Sequence, residues 1–236
     1  MSFIQEILTT KSWGYDNYYG LQDIQKYNDE RYVLDRELIL NKTFYNKIFK
    51  QQGNFVNYII TYSPHTPFTT EKEVGKILAE EKYGKGNIPK LSEEDCAKMA
   101  ASETDNMVGL LIQALKDNGL YDNTVIVAYA DHYLYTLDDK SILDKYKETS
   151  NNLINHTPFF IWSSDLGQLT SISKVNMQMD ILPTVLNLFG IDYNSNNYIG
   201  HDILSNDFKG YAFFSDYSWY DGKVYVENQQ ITNGKK

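Results

Sequence analysis

Residues 124–130 read TVIVAYA, and the two that follow are Asp131 and His132. A run this uniformly apolar and β-branched suits a strand buried on both faces, as in a sheet covered by helices. The segment before it agrees. Ser92 offers an N-cap with Asp95 three residues on, and Cys96, Met99, Val108, Leu111, Ile112 and Leu115 recur at helical spacing up to a stop at Gly119. Long helix, short turn and buried strand make the αβ half of a parallel-sheet unit. Ligands of such sheets gather at the carboxyl ends of the strands. Asp131-His132 therefore sets a carboxylate and an imidazole, two ligand types that suit Zn, Mn and other divalent ions, at the sheet edge.

The pattern extends along the chain. Residues 41–49 (NKTFYNKIF) place Phe44, Ile48 and Phe49 on one helical face, and residues 55–62 (FVNYIITY) read as a strand between Gly53 and Pro64. A stiff loop follows in which His65 stands between Pro64 and Pro67. Residues 71–90 are polar and Lys/Gly-rich and read as a surface excursion. Residues 157–162 (TPFFIW), directly after His156, form another apolar strand, and residues 180–189 a short helix with Pro183 in its first turn. Residues 211–217 and 224–228 read as strands, the second introduced by the hairpin signal Asp221-Gly222. The fold class is α/β, a mixed, mainly parallel sheet flanked by helices, with a C-terminal antiparallel hairpin region over 208–236. The chain reads as one domain over 1–236, with residues 1–50 a weakly periodic, Tyr- and Asn-rich lead-in.

Composition excludes several partners. The chain has 236 residues and a formal net charge of −9, a balance that argues against nucleic acid, whose binding needs clustered Lys and Arg. A polybasic membrane patch is absent as well. No apolar run approaches the roughly 18 residues of a membrane span. Residues 1–11 lack the layout of a secretory signal, so the sequence alone predicts a soluble chain with no anchor of its own. Cys96 is the single cysteine, read as a buried thiol. Phosphate-loop, nucleophile-elbow, G-x-G-x-x-G and H-E-x-x-H patterns are missing. Taken alone, a solvated Asp-His pair and a structural loop histidine are the plainer readings of Asp131-His132 and His65, and His156 and His201 carry less still.

Several segments in order resemble one family. The run GLYDNTVIVAYADH (119–132) looks like the helix–strand–metal segment of the sulfatase and alkaline-phosphatase superfamily. TYSPHTPF (61–68), HTPFFIW (156–162), QMDILPTVLNLFG (178–190) and GHDILS (200–205) resemble lipoteichoic acid synthases and related phosphoglycerol transferases. Trp13-Gly14-Tyr15-Asp16 and Tyr32-Val33-Leu34-Asp35 do so more faintly. The resemblance implies an alkaline-phosphatase/sulfatase-like fold and metal-dependent transfer of glycerol-phosphate from a phosphatidylglycerol-type lipid to a teichoic-acid or glycan acceptor. It places that chemistry at the extracellular face of a bacterial cell membrane. It implies a divalent ion, manganese foremost with Zn, Mg or Ca as alternatives. Residue by residue, Asp131 and His132 match paired metal ligands. His65 matches an active-site histidine that contacts the substrate or the transferring phosphoryl. His156 sits where a substrate contact is suggested, and Asp180 is structural.

The sequence departs from the family in two ways. Relatives carry a nucleophilic threonine and a metal-binding glutamate on segments before the Trp-Gly-Tyr-Asp region. Nothing here resembles those segments, and Thr9, Thr10 and Thr43 lack their context. Relatives also read D-H-x-G where this chain has Asp131-His132-Tyr133-Leu134. The chain is therefore expected to carry the later part of a transferase domain without its nucleophile. A sulfatase or phosphodiesterase of the same superfamily is the nearest enzymatic alternative. A non-catalytic glycan- or teichoic-acid-binding module, with tyrosines as its platform, is the alternative outside enzymes.

Overall fold

In a computed structural model, residues 12–20, 23, 34–145, 156–227 and 229–233 are described. Thr9, Thr10, Tyr32 and Val33 lie outside them, as do residues 1–11 as a whole. The chain divides into two compact units, Met1–Lys145 with Thr157–Asp165, and Tyr146–His156 with Leu166–Lys236.

The first unit is built on helices. After α1 (Glu37–Leu40), Asn41 caps α2 (Lys42–Phe49) through its side chain, which accepts from the Thr43 and Phe44 amides. The three apolar residues expected on one face of α2 are its buried ones. Residues 71–90, expected as a surface excursion, contain α3 (Glu73–Tyr83) with Val74, Gly75, Leu78 and Ala79 buried. Its narrow stripe is diluted by Lys, Glu and Gly, so periodicity alone missed it. The main element is α4 (Glu93–Asp117), whose start is the reciprocal capping box foreseen at Ser92 and Asp95. Gly119, at φ +66°, ends it in the left-handed conformation that glycine adopts without a Cβ penalty.

Three small cores form on α4. Met107, Ala114 and Leu115 pack with Ile39, Phe44, Ile48 and Phe49. Leu34, Val74 and Leu78 meet Met99. Cys96 and Ala100 join Phe68, Leu137 and Ile142, the last from α5 (Ser141–Asp144). Cys96 is buried as expected, and burial pushes its thiol pKa up.

The strands differ from expectation in three respects. First, β1 (Val125–Tyr129) pairs β2 (Phe159–Ser163) antiparallel, Tyr129 opposite Phe159 and Val125 opposite Ser163. Parallel neighbours need a crossover of a dozen or more residues, usually a helix. The described part of the connection carries only the four-residue α5. Second, no residue of β1 is buried, despite its sequence. Third, residues 55–62 form no ladder among the described residues, and Val56 is 77% and Ile60 73% exposed.

In the second unit, α6 (Ile181–Leu188) follows a 3-10 turn, Gln178–Asp180. An antiparallel meander then runs β3 (Ala212–Phe213), β4 (Trp219–Tyr220), β5 (Tyr225–Glu227) and β6 (Gln230–Asn233), neighbours in that order. This is the C-terminal antiparallel region expected from sequence. Asp221 makes its hairpin by accepting from the Lys223 and Val224 amides.

Candidate functional site

His65 stands on a loop held from below. Asp35, just before α1, is 2% exposed. Its Oδ1 accepts from the amides of Tyr62 (2.7 Å) and Ser63 (3.0 Å), and its Oδ2 from the Thr104 hydroxyl on α4 (2.6 Å). The Asp35 amide in turn donates to Ser63 Oγ at 3.0 Å. The His65 amide closes the turn by donating to Tyr62 O, and its ring stacks on Tyr62 with centroids 5.2 Å apart and planes within 9°. His65 Nδ1 lies 2.7 Å from Thr66 O. A carbonyl only accepts, so geometry assigns a proton to Nδ1, and in the neutral ring Nε2 carries the lone pair.

Asp131 and His132 leave the end of β1, where the Ala130 amide donates to Pro158 O and continues the pairing. The loop beyond is fastened to α4. Glu93 accepts from the Asp138 and Asp139 amides, both at 2.8 Å, and Leu137 is 1% exposed in the small core that also holds Phe68 of the His65 loop. Lys140 Nζ donates to Tyr135 O, and the His132 and Tyr135 rings lie 4.7 Å apart. His132 repeats the arrangement of His65, with Nδ1 2.7 Å from Tyr133 O. Its Nε2 lies 3.6 Å from Asp131 Oδ2, and both side chains are open to solvent, 41% and 84% exposed.

The segments that lead into the two loops also touch. The Tyr129 hydroxyl donates to that of Tyr58 at 3.4 Å. That bond, with burial, pushes the Tyr129 phenol pKa up to about 12.

Asp131 and His132 suit a divalent cation as half a site. Two ligands at about 2.1 Å on a tetrahedral ion lie about 3.4 Å apart, close to the observed 3.6 Å between Oδ2 and Nε2. Catalytic centres of this kind take about three protein ligands. Among the described residues no group of three His, Cys, Asp or Glu side chains is placed to hold a metal.

His156 is exposed and belongs to the second unit, as does His201. Asp180, 1% exposed, is structural but does not cap α6: its carboxylate accepts from the Met177 and His201 amides, drawing residues 177 and 201 together. Trp13 is exposed. Sequence reasoning missed the Asp35–Ser63–Thr104 network and the Glu93 tie. A lone Asp, Ser or Thr carries no pattern from which a contact 28 or 69 residues away can be read.

Comparison with known proteins decides the family. A family model described as Sulfatase matches residues 2–191. The chain belongs to the sulfatase family. Lipoteichoic acid synthase from Staphylococcus saprophyticus is 30% identical over 96% of this chain, and that from Staphylococcus aureus 29% identical over 93%. The sulfatase-family chain spans 36% of the length of either relative. Its fold is that of the crystal structure of the lipoteichoic acid synthase LtaP from Listeria monocytogenes, with a TM-score of 0.73 at 24% identity, over 98% of this chain and 60% of that one. The alkaline-phosphatase/sulfatase-like α/β fold expected from sequence is thus the fold observed.

Proposed function

We propose that this sulfatase-family chain supplies part of the active centre of a phosphoglycerol transferase of the lipoteichoic acid synthase type. Asp131 and His132 are two ligands of a divalent cation, manganese foremost, and His65 is the acid–base group. The carrying observation is the 3.6 Å approach of Asp131 Oδ2 to His132 Nε2, with the opposite ring nitrogen of His132 committed to Tyr133 O. The similarity to two lipoteichoic acid synthases supports the reaction class. A phosphatidylglycerol-type lipid is the donor, a teichoic-acid or glycan chain the acceptor, and the outer face of a bacterial membrane the setting. No helix among the described residues is long and apolar enough to cross a membrane.

When bound, such a cation neutralises charge on phosphoryl oxygens and favours an alkoxide nucleophile. The chain's own residues do the rest. Tyr133 O fixes the tautomer that turns His132 Nε2 outward, as partners of ligand histidines commonly do. In the neutral ring, with its proton held at Nδ1 by Thr66 O, His65 Nε2 takes a proton from an attacking hydroxyl. The imidazolium so formed donates to a phosphoryl oxygen and returns the proton to the leaving alkoxide. Among the described residues no third ligand completes the pair.

Thermal unfolding tests this directly. The wild-type chain and Asp131→Ala are melted in EDTA and then with rising Mn²⁺. An ion at about 100 times its Kd adds about 2.7 kcal/mol, which for a chain of this size is about 5–10 °C. A rise in the wild type that Asp131→Ala lacks is expected. Equal behaviour of the two removes the metal pair from the reading.

A further inference from the structure

We propose that Asp35 is a positioning residue of this site, whose buried carboxylate sets the orientation of the His65 ring. The inference takes the importance of His65 from the proposed function above. Asp35 reaches His65 through one residue. Its Oδ1 holds the amides of Tyr62 and Ser63 at 2.7 and 3.0 Å. Tyr62 is the residue His65 touches twice, by the turn bond from the His65 amide to Tyr62 O and by the parallel stack of the two rings. Moving the Tyr62 peptide moves both contacts together.

The carboxylate is itself held on a rigid support. Thr104 on α4 donates to Oδ2, and the neighbouring residue fastens the same stretch: the Arg36 amide and Nη1 donate to Glu103. Glu103 is buried, and Arg36 also grips Glu81 with both carboxylate oxygens at 2.6 Å. Ser63 closes the arrangement by accepting from the Asp35 amide, so residues 35 and 63 are joined in both directions. A loop of two prolines and a histidine, exposed at its tip, thereby takes its backbone position from a buried carboxylate fixed to a long helix.

The test reads ring geometry with no metal present. In the ¹⁵N-histidine-labelled chain, two-bond ¹H–¹⁵N spectra report the tautomer of each imidazole. Wild type is expected to show His65 as a resolved Nδ1–H tautomer. Asp35→Asn keeps that signature, because the amide oxygen still accepts from Tyr62 and Ser63 while its NH₂ donates to Thr104 Oγ1. In Asp35→Ala the two His65 nitrogens average towards each other, with His132 and His201 unchanged. Should Asp35→Ala fail to fold, Thr104→Val and Ser63→Ala, each lacking one bond of the network, show the same averaging in part. A folded Asp35→Ala with the wild-type His65 pattern overturns the proposal. So does an Asp35→Asn that averages fully, or a Thr104→Val and Ser63→Ala pair that both leave His65 unmoved. Mn²⁺ titration of the His132 signals is a separate arm. No response there, with His65 still dependent on Asp35, defeats the metal reading and leaves this one standing.

Discussion

Leu137→Ala tests whether the Asp131-His132 loop is anchored where the structure puts it. Leu137 is 1% exposed and shares its core with Phe68, Cys96, Ala100 and Ile142. Truncating a buried leucine to alanine costs about 2–5 kcal/mol, more where the surroundings cannot close on the hole. This core is small and two of its five members stand on loops, so partial collapse keeps the cost in the lower half, about 2–3.5 kcal/mol. At about 2–4 °C per kcal/mol for a chain of 150–250 residues, the melting temperature falls by about 4–14 °C. Urea unfolding followed by circular dichroism measures the loss, and Leu137→Met, which keeps volume, should cost less than about 1.5 kcal/mol. Phe68 comes from the His65 loop, so a double-mutant cycle of Leu137→Ala with Phe68→Ala should show at least about 0.5 kcal/mol of coupling. A loss below about 1 kcal/mol, or strict additivity in the cycle, would falsify the shared anchor.

Two further predictions concern the helices. A Cβ at Gly75 would lie 2.1 Å from the Thr69 carbonyl oxygen, whereas one at Gly109 would meet nothing within 4 Å. Gly75→Ala should therefore lower stability by about 1–3 kcal/mol of overpacking, and Gly109→Ala, inside α4, should raise it by about 0.5–1 kcal/mol; equal melting temperatures for the two variants would sink the pair. Glu94 accepts from Lys145 and Lys98 at 2.6 and 2.9 Å, and those hydrogen bonds hold its carboxyl at about 2, below the ordinary 4.5. A depressed acid stabilises the fold above its unfolded value and stops doing so as pH falls through the folded one. The melting-temperature gap between wild type and Glu94→Gln should thus be full above pH 4.5 and close towards pH 2, shrinking in high salt because both ion pairs lie at the surface. A gap independent of pH would contradict the ion pairs.

Local rules carried much of this fold into the sequence. The Ser92–Asp95 box, the Asn41 cap, the Gly119 stop and the Asp221-Gly222 hairpin are interactions between residues two to four apart, so their chemistry is visible in a short window. The pair Asp131-His132 was legible for the same reason, being adjacent at the end of an apolar run. What failed was everything that depended on distant partners. The TVIVAYA run says that a strand wants cover on both faces, but not which strand lies beside it or whether this chain provides the cover. Its composition points to a parallel, buried strand; it pairs antiparallel with β2 and none of its residues is buried. Residues 55–62 have the composition of a strand and no ladder partner among the described residues, since a strand is completed by its neighbours and not by its own sequence.

The geometry of the candidate site follows from α4 more than from the loops that display it. Within its first twelve residues, about 17 Å of helix, Glu93 fixes residues 138 and 139 and Cys96 and Ala100 pack Phe68 and Leu137. Glu103 and Thr104 fix residues 36 and 35. The loops bearing His65 and Asp131-His132 are more than sixty residues apart in sequence, yet both take their positions from this one stretch. A helix of 25 residues, closed at its start by a reciprocal capping box, is a stiff base for such a pair. Exposure of the three side chains is then compatible with a defined arrangement, because order is imposed on the backbone beneath them. The polar residues of α4 that face inward are in this light parts of the site's support, and their substitution should disturb the histidines before it disturbs the helix.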